Sequence, residues 1–299
     1  DSELQPPIGR SGRREAGRQS YSIDAVNEFE PIVEEMYDFC EAQELEVDTL
    51  IHESGLAQMA INFLHGDALN VADQAFVFKR TMRETALRHG IYATFMAKPM
   101  EHEPGSALHI HQSIVDLQSG QNIFSREDGS EHERFRHYIG GLQKYTPAGI
   151  ALFAPSVNSY RRFTPDIAAP INLHWGYENR TTGLRIPDGN AQSRRVENRF
   201  PGADANPYLA IAVSLACGYL GMKQKIEASE PHEGDAFEEP IAVARGLEEA
   251  LRLLEEDTDL EDLIGAHFIK AYCAVKREEF EAFNKVISSW EREYLLLNV

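Results

Sequence analysis

Apolar residues recur at helical spacing in four stretches of the chain, and turn-forming residues separate these stretches. The periodicity predicts helices over about 22–42, 71–89, 131–152 and 206–224. Ser22 is a suitable N-cap for the first helix, Gly90 ends the second, and Pro155 lies just beyond the third. In the fourth helix Pro207 lies in the first turn, a position that proline favours.

A two-residue alternation marks the candidate strands. The segment 92–97 is predicted to be a strand that leads into a Pro-Gly turn. After this turn His109, His111 and Ser113 alternate with other residues and should project from one face of a second strand. An imidazole pair on one face suits a divalent metal ion, although a lone His-x-His is weak support for a ligand pair.

The composition is that of an acidic chain that can bury a large core. Its 299 residues are 42% hydrophobic, enough for one large domain or two. The formal net charge of −19 argues against a nucleic-acid partner, because a nucleic-acid backbone demands a basic surface. No run of about eighteen apolar residues occurs, so we expect no membrane partner and a cytoplasmic location. Cys40, Cys217 and Cys273 are far apart, which favours reduced packing residues over disulfides.

The segment 158–199 runs against this acidic background. It contains seven arginines and four carboxylates. A guanidinium group is a planar fork that matches two oxygens of a carboxylate or phosphate at once, so the cluster indicates an anionic ligand. The arginines that carry this prediction are Arg162, Arg180, Arg185, Arg195 and Arg199.

Alternation sharpens the prediction at the end of that segment. Arg195, Glu197 and Arg199 would share one face of a strand, so that two cations flank one carboxylate. Taken alone, this pattern fits a surface ladder of ion pairs. Together with the upstream histidines and Glu53, it fits a mixed nitrogen and oxygen site for Mg²⁺ or Mn²⁺ beside phosphates.

In their order along the chain these motifs resemble the glutamine synthetase superfamily, in its catalytic domain. The matching blocks are His52-Glu53 with Ala57-Gln58, Lys98-Pro99 with Gly105-Ser106-Ala107-Leu108-His109-Ile110-His111, Asn158-Ser159-Tyr160-Arg161-Arg162, Asn179-Arg180, Leu184-Arg185-Ile186-Pro187, Arg195-Val196-Glu197-Asn198-Arg199-Phe200-Pro201 and Ala205-Asn206-Pro207-Tyr208-Leu209-Ala210. The resemblance covers nearly the whole chain from about Arg10 onward. The sequence around these blocks is most similar to that of the branch that includes γ-glutamylpolyamine synthetases.

The resemblance implies an α+β fold. A curved, mainly antiparallel sheet would form the floor of a funnel, and helices would pack outside it. Residues 1–299 would form one catalytic domain, with 226–299 as an acidic, helical C-terminal part that docks on the body. The small N-terminal β-grasp domain and the first catalytic strand of the family have no counterpart, so the chain is either a portion of a longer enzyme or a degenerate relative. The intact arginine set favours the former.

The resemblance also implies the substrates and cofactors: ATP, glutamate, an amine and two divalent ions, Mg²⁺ or Mn²⁺. Neither a Walker motif nor a G-x-G-x-x-G loop occurs, so ATP binding would rest on arginines and metals. By analogy with the family, the metal ligands are Glu53 for one ion and His109 with Glu197 for the other. The ATP-binding residues are His111, Ser113, Arg185 and Arg195. The glutamate-binding residues are Gly105, Arg162 and Arg199, and the catalytic residues are Arg180 and Arg199.

Three positions depart from the family pattern. Ala60 replaces a second metal carboxylate near Glu53, which weakens one metal site. Ala168 replaces the glutamate that handles the ammonium proton, which makes a larger amine the expected acceptor. Pro104 replaces a glutamate-binding asparagine, which leaves the amino-acid substrate open.

We therefore expect an ATP-dependent ligase that joins glutamate to a polyamine or another primary amine through γ-glutamyl phosphate. Two alternatives stay open at this point: a true glutamine synthetase that uses ammonia, and a catalytically silent relative with a binding or structural role. The family resemblance further implies a large, ring-shaped homo-oligomer.

Overall fold

The computed structural model describes residues 4–165 and 169–298. Its helices are α1 (Ile23–Asn27), α2 (Glu30–Ala42), α3 (Ala68–Arg88), α4 (Glu133–Phe153), α5 (Pro207–Gln224), α6 (Leu247–Glu256), α7 (Thr258–Ile264), α8 (Ala266–Asn284) and α9 (Ser289–Leu295). Its strands are β1 (Val47–His52), β2 (Met59–Phe63), β3 (Ile110–Gln112), β4 (Trp175–Tyr177), β5 (Leu184–Ile186) and β6 (Val196–Asn198). The expected α+β composition is confirmed.

The strands form two sheets. β1 and β2 make an antiparallel hairpin, and the other four strands lie in the order β3-β6-β5-β4. Within the larger sheet β6 is antiparallel to both of its neighbours, whereas β4 and β5 are parallel. The prediction of a mainly antiparallel sheet is therefore confirmed, with one parallel pair at its edge.

Helices α4 and α5 pack closely against each other in the main core. Glycines permit this approach: a Cβ on Gly221 would lie only 2.5 Å from the Cα of Gly141 on the facing helix. One turn earlier Gly218 lies beneath the ring of Tyr138, which is fully buried. Small residues in the apolar pattern of α5 thus set the distance between the two helices.

The predicted first helix is divided into two. Instead of one helix over 22–42, α1 ends at Asn27 and α2 begins at Glu30. Pro31 lies in the first turn of α2, where its missing N–H costs nothing. In a continuous helix Pro31 would remove the hydrogen bond to Asn27 and its ring would clash with that carbonyl, so the helix restarts there.

The predicted strand over 92–97 is wrong as a hydrogen-bonded element. Burial alternates along this segment as in a strand, and Phe95 packs edge-on against Phe78 at 6.5 Å between ring centroids. Within the described part of the chain, however, no neighbouring strand pairs with it. Alternation reports which side chains face the core, but a strand also needs a partner for its backbone groups.

The C-terminal part docks on the body as expected, although its helices start later than the predicted boundary. Residues 226–246 contain only the short 3₁₀ turn Ala236–Glu238, and α-helix begins at Leu247. Helix α8 buries Ile269 and Cys273, and the Tyr272 hydroxyl donates to the Ala151 carbonyl at 2.7 Å. None of the helices in residues 4–165 and 169–298 is both long and apolar enough to cross a bilayer.

We expect Gly221→Ala to lower the free energy of unfolding by about 1–3 kcal/mol, because the added methyl group overlaps α4. The gain in helix propensity, about 1 kcal/mol, opposes this loss only in part. Urea denaturation would measure the difference, with Gly17→Ala as the control, because a Cβ there meets nothing within 4 Å. Equal stability of Gly221→Ala and the parent would contradict the close helix contact.

Candidate active site

A row of polar residues crosses three strands on one face of the larger sheet. Glu197 in β6 lies directly opposite His111 in β3 and Arg185 in β5. The neighbours of Glu197 in β6, Val196 and Asn198, are buried along with it. Side chains alternate along a strand, so Val196 and Asn198 face the helices while Glu197 faces the opposite side.

Glu197 is the centre of this row. Its Oε2 accepts a hydrogen bond from Arg185 Nη1 at 2.6 Å, and its Oε1 accepts one from Arg199 Nη1 at 2.7 Å. The Nδ1 of His109 lies 3.2 Å from the same Oε1. Only 3% of the Glu197 side chain is exposed, so these three groups provide nearly all of its polar environment. The ladder of charges predicted from alternation exists, but it is buried rather than superficial.

The charges around Glu197 keep it ionised. Burial alone would raise the pKa of this carboxyl group. The interaction with His109 once that ring is protonated in acid, the Arg199 charge and the hydrogen bond from Arg185 outweigh burial and lower the pKa to about 2. The pKa of His109, whose side chain is 34% exposed, is lowered as well, by partial burial first and by the Arg199 charge next. At neutral pH His109 is therefore a neutral imidazole, the form that can ligate a metal ion.

A buried polar network behind the sheet fixes the two strands that carry Glu197 and the histidines. The Tyr138 hydroxyl in α4 donates to Gln112 Oε1 at 2.7 Å. Gln112 in β3 and Asn198 in β6 both donate to the Ser214 hydroxyl of α5 at 2.8 Å. Because buried amides need specific partners, this network ties the register of β3 and β6 to the helix pair.

Arg162 and Gly105, both predicted to bind glutamate, are in direct contact. A Cβ on Gly105 would lie 2.5 Å from Cγ of Arg162, so only glycine leaves room for that side chain. Arg162 is 2% exposed, and its Nη atoms donate to the carbonyls of Phe200 and Arg199 at 2.8 and 2.9 Å. The arginine thus also has a structural task, since it holds the backbone beside Arg199 in place.

The remaining predicted residues near the larger sheet are more exposed than Glu197. His111 and Ser113 are exposed, whereas Gln112 between them is buried, so their predicted common face is confirmed. Arg195 Nε lies 3.3 Å from His111 Nδ1, which brings those two together. Arg180 is exposed, and its Nη1 donates to the Tyr21 hydroxyl at 2.7 Å.

Glu53 is attached to a different element. It follows β1, and its N–H donates to the Gln58 carbonyl at 2.8 Å. Ala60 lies opposite Ile51, two residues before Glu53, so Ala60 and Glu53 share a face of the hairpin. A carboxylate at position 60 would therefore stand beside Glu53. The structure also links this hairpin to the histidine block, since Gln58 Nε2 donates to the Gly105 carbonyl at 3.1 Å.

The residues fit a divalent ion as a partial ligand set. His109 and Glu197 together offer one nitrogen and one oxygen, with an inter-atomic distance that two ligands of one ion could have. Over the ranges 4–165 and 169–298, no three His, Cys, Asp or Glu side chains form a group that could hold a metal. Mg²⁺ is commonly bound through one or two carboxylates and completes its shell with water and substrate phosphate, so Glu197 with His109 would supply part of such a shell.

Two residues near the site have no counterpart in the sequence prediction. Tyr21 contacts Arg180 although 159 positions separate them in the sequence, and no local sequence pattern predicts such a contact. Glu178 accepts a hydrogen bond from Arg185 Nη2 at 2.8 Å. The sequence signal for Glu178 is its position two residues before Arg180, next to the Asn179-Arg180 motif. The Ala168 prediction falls outside the described residues.

The sequence matches known proteins over most of its length. Residues 1–295 match the family model described as glutamine synthetase, catalytic domain. The γ-glutamylputrescine synthetase PuuA of Escherichia coli (strain K12) is 35% identical over 300 residues, covering 99% of this chain and 63% of that protein. The γ-glutamylethanolamide synthetase GlnA4 of Streptomyces coelicolor is 36% identical, covering 91% of this chain and 58% of that protein. A glutamine synthetase of Pyrococcus abyssi is 35% identical, covering 91% and 66%.

Solved structures agree with the fold. The structure titled "Apo GmaS without ligand" has a TM-score of 0.85 and 29% identity, and covers 95% of this chain and 66% of that chain. A GmaS/ADP complex has a TM-score of 0.86 at the same identity. The chain spans 63% of PuuA and 58% of GlnA4, so these relatives are longer proteins.

We expect Glu197→Gln to flatten the acid dependence of stability. The pKa of Glu197 lies below its ordinary value of 4.5, so its contribution to stability is present above about pH 4.5 and is lost as the pH falls toward about 2. The variant should be less stable at pH 7 and should lose less stability than the parent over that window. Chemical denaturation at several pH values measures this. Glu230→Gln, whose side chain is 91% exposed, is the control and should follow the parent.

Proposed function

The chain belongs to the glutamine synthetase family, and from that premise we propose that the whole protein is an ATP-dependent ligase that joins the γ-carboxylate of glutamate to an amine. The proposal extends to ATP and glutamate as substrates and to a divalent metal ion as cofactor. A polyamine or another primary amine is the proposed acceptor, in preference to ammonia.

Two unsatisfied arginine groups carry this proposal. The Nε atoms of Arg185 and Arg199 are buried, and neither has a hydrogen-bond partner among the described residues. A buried donor without a partner is costly, and a charged one more so, unless an acceptor is supplied. Both arginines flank Glu197 on the sheet face, so oxygen-rich anions bound at this face would satisfy them. A nucleotide phosphate and an amino-acid carboxylate have that chemistry.

The proposed reaction has two steps. The γ-carboxylate oxygen of glutamate attacks the γ-phosphorus of ATP, which releases ADP and forms γ-glutamyl phosphate. The amine nitrogen then attacks the acyl carbon, phosphate leaves, and the nitrogen loses a proton to give the γ-glutamyl amide. Arg185 and Arg195 would hold phosphate oxygens, and Arg162 with Arg199 and the Gly105 backbone would hold glutamate. Arg180 would meet the phosphoryl group in transfer, where charge spreads over the equatorial oxygens.

The metal site of this proposal uses His109 and Glu197 for one ion and Glu53 for the other. When bound, such ions neutralise phosphate charge and orient the nucleotide. The protein's own contribution is to present a neutral imidazole next to an ionised carboxylate. The hairpin that carries Glu53 is fastened to the histidine block through Gln58, which keeps the two candidate positions in a fixed relation.

The choice of acceptor rests on sequence. By the family resemblance, Ala168 occupies the position at which ammonia-using members carry a carboxylate, and an alanine supplies no proton acceptor. The relatives include PuuA, named for putrescine, and GlnA4, named for an ethanolamide, beside glutamine synthetases at similar identity. The missing carboxylate at position 168 is therefore the observation that favours a larger amine. By the same resemblance we propose a cytoplasmic, ring-shaped homo-oligomer.

Product analysis of the full-length protein tests the function. With ATP, Mg²⁺ and glutamate, we expect faster release of phosphate with putrescine or ethanolamine than with ammonia, and a γ-glutamyl amide detectable by mass spectrometry. Ammonia as the best acceptor would instead identify a glutamine synthetase. Failure of every amine to support phosphate release would favour the catalytically silent alternative.

Arg199→Lys should lower kcat/KM for glutamate by about tenfold to a hundredfold, the value of one hydrogen bond between charged groups. Lysine keeps the charge but cannot donate both to Glu197 and to a bound carboxylate from one planar fork. Arg252→Lys is the matched control. Among the described residues Arg252 pairs only with Glu256, and its side chain is 55% exposed, so its variant should stay within about twofold of the parent. Similar losses in both variants would rule out the fork geometry.

A further inference from the structure

Glu178 has an unusual backbone for its residue type. It directly follows β4 and has a φ of +50°, in the left-handed region. A side chain with a Cβ is strained there, and glycine or asparagine is the usual choice. Glycine would relieve this strain, but it would leave position 178 without a carboxylate.

The carboxylate of Glu178 binds two partners at once. Its Oε2 accepts from Arg185 Nη2 at 2.8 Å, and its Oε1 accepts from the backbone N–H of Asp188. Those hydrogen bonds, first from Arg185 and then from Asp188, lower the pKa of Glu178, so the carboxylate is charged at neutral pH. The residue thus joins the arginine of β5 to the loop that follows this strand.

Arg185 consequently lies between two carboxylates of different exposure. Glu197 on the inner side is 3% exposed, and Glu178 on the outer side is 52% exposed. Each takes one Nη atom, so neither can form a bidentate pair with the guanidinium. If Glu178 were neutral or absent, Glu197 would be the one carboxylate among the described residues in contact with Arg185, and the arginine could turn both Nη atoms toward it.

We propose that Glu178 is a positioning residue that keeps Arg185 at the outer edge of the site, where its guanidinium meets a nucleotide phosphate instead of closing on Glu197. The inference rests on the proposed function, in which Arg185 holds ATP. From the left-handed backbone directly after β4, the Glu178 carboxylate reaches Arg185 in the neighbouring strand β5.

The chain contains a matched control for the backbone effect. Glu44 follows α2 with a φ of +56°, close to that of Glu178, and it is exposed. Among the described residues no hydrogen bond or ion pair to the Glu44 side chain occurs. Glycine at either position removes the same backbone strain, but only at position 178 does it remove a contact to Arg185.

The experiment measures ATP affinity and thermal midpoint on the full-length protein, for the parent and for Glu178→Gln, Glu178→Gly and Glu44→Gly. Isothermal titration with Mg²⁺ and a non-hydrolysable ATP analogue gives the Kd. Kinetics with ATP and glutamate give the two KM values. Glu178→Gln keeps the size and the backbone of the residue and removes only the charge.

We expect both Glu178 variants to raise the Kd for the ATP analogue by about threefold to tenfold, between the value of an exposed ion pair and that of a buried charged hydrogen bond. The KM for glutamate should stay within about twofold. The thermal midpoint of Glu178→Gly should not fall, because relief of strain offsets the lost pair, and Glu44→Gly should gain stability without a change in Kd.

Two results would overturn the role of Glu178. One is an unchanged Kd in Glu178→Gln. The other is a thermal midpoint of Glu178→Gly that falls along with affinity, which would make the carboxylate a simple stabiliser of the loop. A parent protein that binds no ATP analogue would refute the proposed function itself, and the inference with it, so the two failures are distinguishable.

Discussion

The candidate site depends on one buried carboxylate, that of Glu197. A carboxylate with 3% exposure is tolerated only if it is surrounded by cations and donors, and here Arg185, Arg199 and His109 supply them. These three residues come from β5, from the end of β6 and from the start of β3. The burial of a single charge therefore constrains the register of three strands at once, because a slip of one residue would turn Glu197 toward the helices.

The rest of the fold holds that register from behind. Gln112 and Asn198 share the Ser214 hydroxyl of α5, and Tyr138 of α4 closes the network. The two helices can approach closely enough for this because glycines face each other at their crossing. The strands β3 and β6 therefore carry charged or histidine side chains toward the site and amide side chains toward the core. This alternation links the site to the core. Membership in the glutamine synthetase family is consistent with this arrangement. In the proposed function, arginines and carboxylates would do the work that a phosphate-binding loop does elsewhere.

Charge is distributed unevenly between the site and the surface. The chain has a formal net charge of −19, yet the site concentrates arginines around Glu197 and Glu178. An acidic exterior suits a cationic acceptor such as the proposed amine, and the arginine-rich interior of the site suits the two anionic substrates of the proposed reaction. The arginines that set the segment 158–199 apart from the acidic rest of the sequence are thus also grouped in space, around Glu197 and Glu178.

The sequence by itself determined the local features that depend on periodicity: the long helices, the common face of His109, His111 and Ser113, and the alternation that puts Glu197 between arginines. These follow from repeat distances that are fixed within a helix or a strand. The tertiary structure alone decided the contacts between distant segments. It left 92–97 without a partner strand, turned Arg162 toward backbone carbonyls, and brought Tyr21 to Arg180. Periodicity fixes the direction in which a side chain points, but the group that it meets depends on how the chain returns, and no local pattern carries that information.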